Sequence, residues 1–412
     1  MPQLVPTVGV PARRQADVRE HNLALVLAEV HSRGRVSRAE LTELTGLNRS
    51  TVGALVSDLQ DLGLVGQHRP GNGPRSAGRP SHQVVAREDG PYSIAVQLDV
   101  DRLVVAVVGL GGTVLGRAAR HLSPGASPAV VLDRARDALC RLERALPAGA
   151  RACGVGVSVP GTVRRRDGVL RSAPNLGWRE VPLASLVATR MIPHHPELVV
   201  RVGNDADLGV RAERLRGAAR GVDDVVYLLG NTGIGGGIVC GGVPVTGARG
   251  YGGEIGHMVI ALDGPACSCG GRGCLETLVG SNELCRLAGP AYLTGRDATA
   301  RVIADAHAGV AVAAQAVRVV GARLGVGLAA IANMLDPEVI IVGGLLRDVR
   351  ALAGTEVDCA MSAQLATDGC DRASLAEPDL GRDSSLLGAA ELGFDQLLDW
   401  AQGSGWLAVR NG

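Results

Sequence analysis

His257, Cys267, Cys269 and Cys274 put one imidazole and three thiols within eighteen residues. Gly270, Gly271 and Gly273 lie among them, so the backbone can fold tightly around a point. Tetrahedral Zn²⁺ takes a Cys₃His set of this kind, and four protein ligands leave no open coordination position. The pattern predicts a closed, structural zinc; the alternative for the same residues is a reduced, cysteine-rich loop without metal. Glu254 and Glu276 flank the set. A metal would pin the loop so that both carboxylates face a common spot.

Such a loop needs a large scaffold, and 412 residues can supply one, in two or three domains. The formal net charge is only +1, so any contact with nucleic acid must be local. All 42 basic residues are arginine, and no lysine can serve as a base or phosphate clamp. Nine cysteines, three of them clustered, suit a reducing cytoplasm better than a disulfide framework. The amino-terminal stretch shows no charged-then-apolar signal pattern, and no uninterrupted apolar run is long enough for membrane insertion.

The first 16 residues or so are Pro-rich and read as disordered. His21, Leu23, Ala24, Val26, Leu27 and Val30 then share one helical face, which Gly34 ends. Ser37 with Glu40 fits a capping box for a second helix, Gly46 makes a turn, and Asn48 caps a third. Val52, Leu55, Val56, Leu59 and Leu62 form that helix's inward face. These are the parts of a helix-turn-helix. Ser37, Asn48, Arg49, Ser50 and Thr51 are its candidate contacts to bases or phosphates. From Leu62 to Arg87 there is no acid, and Leu64-Val65 and Gln83-Val84-Val85 can be two strands of a wing. Its tip would carry Arg75 and Arg79, with Gly78-Arg79-Pro80 able to present an arginine to a minor groove. A flexible basic linker is the alternative for that stretch.

From about residue 90 the composition changes. Val-rich runs at 92–99, 102–109 and 113–119 read as a β-meander, followed by a helix at 128–146 and a buried strand at 152–159. Asp167-Gly168 reads as a hairpin turn. Strands at 198–202, 224–229 and 338–342 each end in glycines and alternate with helices. The bulk is therefore α/β, with sites at the carboxyl ends of strands. No internal repeat is legible.

Several motifs match one family in order and spacing. They are Ser172-Ala173-Pro174-Asn175-Leu176-Gly177-Trp178, Asn204-Asp205-Ala206, the glycine run Thr232–Gly237, Glu254-Ile255-Gly256-His257 and Cys267-x-Cys269 through Cys274-Leu275-Glu276. The chain resembles the ROK family (repressors, open reading frames and kinases) over residues 20–400. The resemblance implies an amino-terminal winged helix-turn-helix at 17–88 and a two-lobed, actin-like ATPase body of ribonuclease H-like fold. Lobe 1 would span 91–203, with a carboxyl-terminal helix at about 384–400 packing back on it, and lobe 2 would span 204–383. It implies sugar contacts at Asn204, Asp205, Glu254, His257 and Glu276, with Asn175 a further candidate. Asp205 matches the catalytic base of the family's kinases, and His257 is also a zinc ligand.

Family kinases carry Asp-x-Gly-x-Thr in their first hairpin. Here that position reads Asp99-Val100-Asp101-Arg102-Leu103, with aspartate for the glycine and leucine for the hydroxyl residue. A carboxylate aimed at ATP opposes the positioning and charge stabilisation that phosphoryl transfer needs. The resemblance thus implies a cytoplasmic, non-enzymatic regulator, most simply a repressor of carbohydrate genes. Asp205 would be a vestigial base, and a sugar or sugar-phosphate would be sensed between the lobes. A homo-dimer or tetramer would present paired heads to a palindromic operator. The alternative is an ATP-dependent sugar kinase.

Overall fold

The computed structural model describes residues 15–68, 83–293, 297–366 and 373–400. Helix α1 (Gln15–Arg33) stops at Gly34, whose φ of +69° is left-handed. Strand β1 (Arg35–Ser37) follows; three residues are too few to show alternation, so it is absent from the elements expected above. Ser37 caps α2 (Arg38–Thr45): its hydroxyl accepts from the Glu40 amide at 3.1 Å, and Glu40 accepts from the Ser37 amide at 2.7 Å. Asn48 caps α3 (Arg49–Asp61), its side-chain oxygen 2.9 Å from the Thr51 amide. Strands β2 (Val65–His68) and β3 (Gln83–Ala86) complete an antiparallel sheet in the order β1-β3-β2. Val26, Leu27, Leu41, Val52, Val56 and Leu59 are wholly buried beneath these elements. Arg75 and Arg79 lie outside the described residues.

The body begins with the meander β4 (Pro91–Leu98), β5 (Arg102–Gly109) and β6 (Val114–His121), then α4 (Pro128–Glu143). Strand β7 (Arg151–Val159) runs parallel to β4. Strands β8 (Thr162–Arg164), β9 (Val169–Ala173) and β10 (Trp178–Val181) form a small side sheet, with the Asp167-Gly168 turn between the first two. After α5 (Leu183–Leu186), β11 (Val200–Asn204) pairs parallel with β7, giving the order β11-β7-β4-β5-β6. Helix α6 (Asp205–Arg216) leads to a second meander, β12 (Val225–Gly230), β13 (Ile234–Cys240) and β14 (Val243–Pro244). Helices α7 (Leu275–Val279), α8 (Ser281–Ala288), α9 (Ala298–His307) and α10 (Ala311–Leu335) follow. Strand β15 (Val339–Gly344), helices α11 (Leu345–Leu352) and α12 (Gly354–Ser362), and strand β16 (Ser374–Ala376) close that sheet as β14-β13-β12-β15-β16.

Both five-stranded sheets thus have one topology: an antiparallel meander, then two parallel strands. The duplication shows in the fold although no repeat is legible in the sequence. Helix α13 (Ser384–Trp400) returns to the first sheet. Glycine is required beneath it, because a Cβ at Gly156 would lie 1.8 Å from the Ala389 carbonyl oxygen. Among the described residues α10 is the one helix long and apolar enough to cross a membrane; half of it is buried in the second sheet's core.

Candidate functional site

A cleft of about 810 Å³ lies between the two sheets, and Asn175, Asn204, Asp205, Glu254, His257 and Glu276 all line it. Each is positioned by a local device. Asn204 ends β11 and caps α6: its oxygen accepts from the Ala206 and Asp207 amides at 2.8 and 3.3 Å, and its nitrogen donates to the Gly161 carbonyl at 3.0 Å. Asp205 opens the helix. Glu254 precedes, and His257 ends, a short 3₁₀ turn that packs on β13. A Cβ at Gly256 there would lie 2.2 Å from the Ile234 carbonyl oxygen, so no other residue fits. Glu276, in α7, accepts from the Ile234 amide at 3.2 Å. Asn175 is exposed in the Pro174–Leu176 turn.

The sequence did not single out Asp99, Thr162, Arg171, Glu180 or Tyr251 as cleft residues, yet all five line it. Thr162 reaches toward Glu254 at 3.5 Å, and Arg171 pairs with Glu180 at 3.0 Å. Glu180 has φ +49°, rare for a residue with a side chain. Pro160-Gly161-Thr162 at a strand's carboxyl end was the available signal for Thr162; Arg171 and Glu180 had none.

Burial pushes the Asp205 carboxyl up to about 7, helped by the neighbouring Asp99 and Asp207. Burial pushes Asp207 up to about 6, against the pull of Arg165 and with the push of Glu254. Asp99 is also raised by burial and by Asp101, although the Val100 amide and Arg102 oppose this. Asp99 and Asp205, both half-buried, thus line the cleft as carboxyls short of compensating charge, with Asp207 in the adjoining cavity.

One edge of the cleft is the cysteine loop. The donor atoms of His257, Cys267, Cys269 and Cys274 all lie within 4.8 Å of one another. His257 Nδ1 is 3.5 Å from Cys267 Sγ, and Cys269 Sγ is 3.8 Å from Cys274 Sγ. Ordinary zinc bond lengths give tetrahedral edges of about 3.5 Å from sulfur to nitrogen and about 3.8 Å between sulfurs. The group could therefore hold a metal ion. His257 Nε2 faces the other way, 3.9 Å from Glu254 Oε2. At the tight bend Gly273 has φ +67°, and a Cβ there would lie 1.6 Å from the Ala261 carbonyl oxygen.

The first hairpin at the cleft differs from the sequence expectation. Leu103 does not face the cleft; it is wholly buried in the core of the first sheet. Asp101 is exposed at the turn, and Asp99 and Val100 are the residues that reach the cleft. No residue from 99 to 103 has a positive φ. The glycines at 233, 235, 236 and 237 also lack positive φ. They serve close packing. A Cβ at Gly233 would lie 2.3 Å from Glu276 Oε2, one at Gly236 2.6 Å from the Gly253 carbonyl oxygen, and one at Gly237 2.4 Å from the Ala206 carbonyl oxygen.

In the head, Asn48, Arg49 and Ser50 are exposed at the start of α3, while Ser37 and Thr51 are half-buried. The side-chain oxygens of Ser37 and Asn48 are already engaged in helix caps.

The ROK family model matches residues 93–395. The xylose repressor of Bacillus subtilis (strain 168) is 29% identical over 388 residues, covering 93% of this chain and 98% of that protein. A crystal structure of a ROK family transcriptional regulator, a homologue of the E. coli MLC protein, superposes with a TM-score of 0.74 at 24% identity, covering 94% of this chain and 100% of that one. A ROK family glucokinase from Streptomyces griseus, in complex with glucose and AMPPNP, superposes with a TM-score of 0.62 at 28% identity, covering 73% of this chain and 98% of that one.

Proposed function

The chain belongs to the ROK family, and from that premise we propose that it is a sugar-responsive, DNA-binding transcriptional regulator, most simply a repressor of carbohydrate uptake or catabolism genes. One observation carries the reading. The three-helix head shares a single hydrophobic core with a body whose cleft gathers amides, carboxyls and an imidazole. Sugar hydroxyls both donate and accept, and such groups satisfy them from several sides. Likeness to a xylose repressor over nearly the whole of both chains supports a neutral sugar as effector. The cleft chemistry agrees. Six carboxyls line it (Asp99, Glu180, Asp205, Glu254, Glu276, Glu283) against three guanidiniums (Arg171, Arg179, Arg286), which disfavours a polyphosphate. Arg171 and Arg286 are already paired with Glu180 and Glu283.

In this reading Asn175, Asn204, Asp205, Glu254, His257 and Glu276 hold the sugar. His257, Cys267, Cys269 and Cys274 hold a zinc that fixes the loop and supplies no reactive position. The protein works in the cytoplasm as a dimer or tetramer, its heads reading a palindromic operator through Arg49, Ser50 and the wing. Sequence-selective binding to a duplex chosen from a random pool, weakened by D-xylose or another neutral sugar, is the expected result. Purified zinc-loaded protein with no selective binding at moderate salt would sink the reading.

Cys269→Ser should release zinc, read by elemental analysis, and reduce the sugar response while the head still binds DNA. Retained metal with a normal response would refute the clamp. Arg79→Ala should cost about 1 kcal/mol of DNA affinity and lower the salt slope by about 1, without touching sugar affinity. Unchanged operator affinity would return that stretch to a linker.

The second reading is a sugar kinase, favoured by the likeness to a glucokinase. A coupled ATPase assay across hexoses and pentoses decides it: robust turnover that is lost in Asp205→Asn would overturn the repressor reading.

A further inference from the structure

His31, Arg216 and Glu391 come from three distant parts of the chain and meet where head joins body. His31 lies in the last turn of α1, Arg216 ends α6, and Glu391 lies within α13. His31 and Glu391 are each 1% exposed. The Gly111 amide donates to His31 Nδ1 at 3.1 Å, and His31 Nε2 lies 2.7 Å from Glu391 Oε2 and 2.9 Å from Arg216 Nη2. Arg216 donates through Nε and Nη2 to Glu391 Oε1 at 3.0 and 2.8 Å. Its Nη1 donates to the His31, Ser32 and Gly111 carbonyls at 2.8, 3.3 and 3.0 Å. A guanidinium therefore caps the carboxyl end of α1, where the helix dipole favours a cation. Phe394 closes the site, its ring edge-on to His31 at 4.8 Å. Gly112 makes room, since a Cβ there would lie 2.6 Å from Arg216 Nε.

Buried ionic clusters stabilise a fold no better than well-packed apolar residues, so their placement asks for another explanation. Here the placement is informative. Helix α6 begins at the cleft with Asp205 and ends, about 18 Å away, at Arg216. It packs on β12 and β13 of the second sheet and on α13, which lies on the first. Buried Glu213 ties it to the start of α13, accepting from the Ser384 hydroxyl at 2.6 Å and the Leu380 amide at 3.1 Å. A cavity of about 410 Å³ adjoins the cluster; His31 and Glu391 line one part of it, and Asn204 and Glu254, which also line the sugar cleft, line another. There is room for the helices to shift.

Resting on the repressor reading above, we propose that His31, Arg216 and Glu391 form a clasp that couples the sugar cleft to the DNA-binding head. Helix α6 is the connecting rod. Its first turn responds to sugar, and its last residue sets the end of α1 and hence the orientation of the head. A ligand shifts such an equilibrium only through different affinity for the two arrangements, and the clasp is the contact that distinguishes them.

The test uses full-length protein, a duplex selected from a random pool, and D-xylose and D-glucose as probes. Coupled sites of this kind change affinity by roughly 5- to 150-fold. Glu391→Gln should keep sugar affinity within about twofold of wild type, while the sugar-induced change in DNA affinity falls to about twofold or less. A second variant, His31→Leu with Arg216→Met and Glu391→Leu, replaces the cluster by apolar groups and should melt at or above the wild-type temperature. It should bind both DNA and sugar, yet respond no better than Glu391→Gln. Wild-type coupling in the apolar variant would overturn the clasp alone. Wild-type protein whose DNA affinity neither these nor any other neutral sugar moves would overturn the repressor reading and the clasp with it.

Discussion

Asp205, half-buried in the cleft, and Glu391, wholly buried, lie near opposite ends of α6 and titrate in opposite directions. Burial raises both. At Asp205 nothing cationic answers it, and the carboxyl rises from 3.8 to about 7. At Glu391 burial is overcome by His31 and Arg216, and the carboxyl falls from 4.5 to about 2. Burial alone therefore does not fix the role of a carboxyl. A group whose partners are supplied by the fold is structural. A group left short of partners, at the edge of a cleft, is poised for a ligand.

This contrast can be broken at either end. The largest effect belongs to Glu391→Ala, which leaves Arg216 buried without its carboxylate and should cost about 3–5 kcal/mol in urea melts. A loss under about 1 kcal/mol would remove the distinction. Asp205→Asn should leave the midpoint unchanged or raised, since it removes an uncompensated charge. Its effect should fall on sugar affinity, weakened about 10- to 100-fold in calorimetry, as expected for one lost charge-assisted hydrogen bond. Destabilisation with intact sugar binding would reverse the assignment.

The smallest effect is in the pH profile. Asp205 holds its proton in the folded protein, so its contribution to stability weakens as pH rises from about 4 to about 7. Glu391 stabilises fully above about 4.5 and loses that contribution as pH falls toward 2. If the ionised Asp205 accepts from sugar hydroxyls, affinity should rise up to about tenfold from pH 6 to pH 8. The rise should vanish in Asp205→Asn. A flat wild-type profile would show that the protonated form binds equally well.

The two hairpins teach a related point about glycine. The run from Gly233 to Gly237 is a glycine motif in sequence, and each of its packed positions answers a neighbouring side chain or carbonyl. Leu103 looks like a lost phosphate contact and is instead core. In both cases a motif read along the chain names residue types without saying which way they point.

Local features were legible along the chain. Apolar spacing and capping residues marked the three helices of the head, and Val-rich runs marked the longer strands of the body. Short spacing fixed the Cys₃His group, because four donors within one loop can meet only near that loop. Tertiary structure decided the rest. Two sheets of one topology had to close on each other before Asn175, Asp205, Glu254 and Glu276 could face one cleft. His31 and Glu391 are 360 residues apart, and no periodicity or spacing along the chain relates them. Their meeting follows from the return of α13 to the first sheet, where the last turn of α1 and the end of α6 already lie.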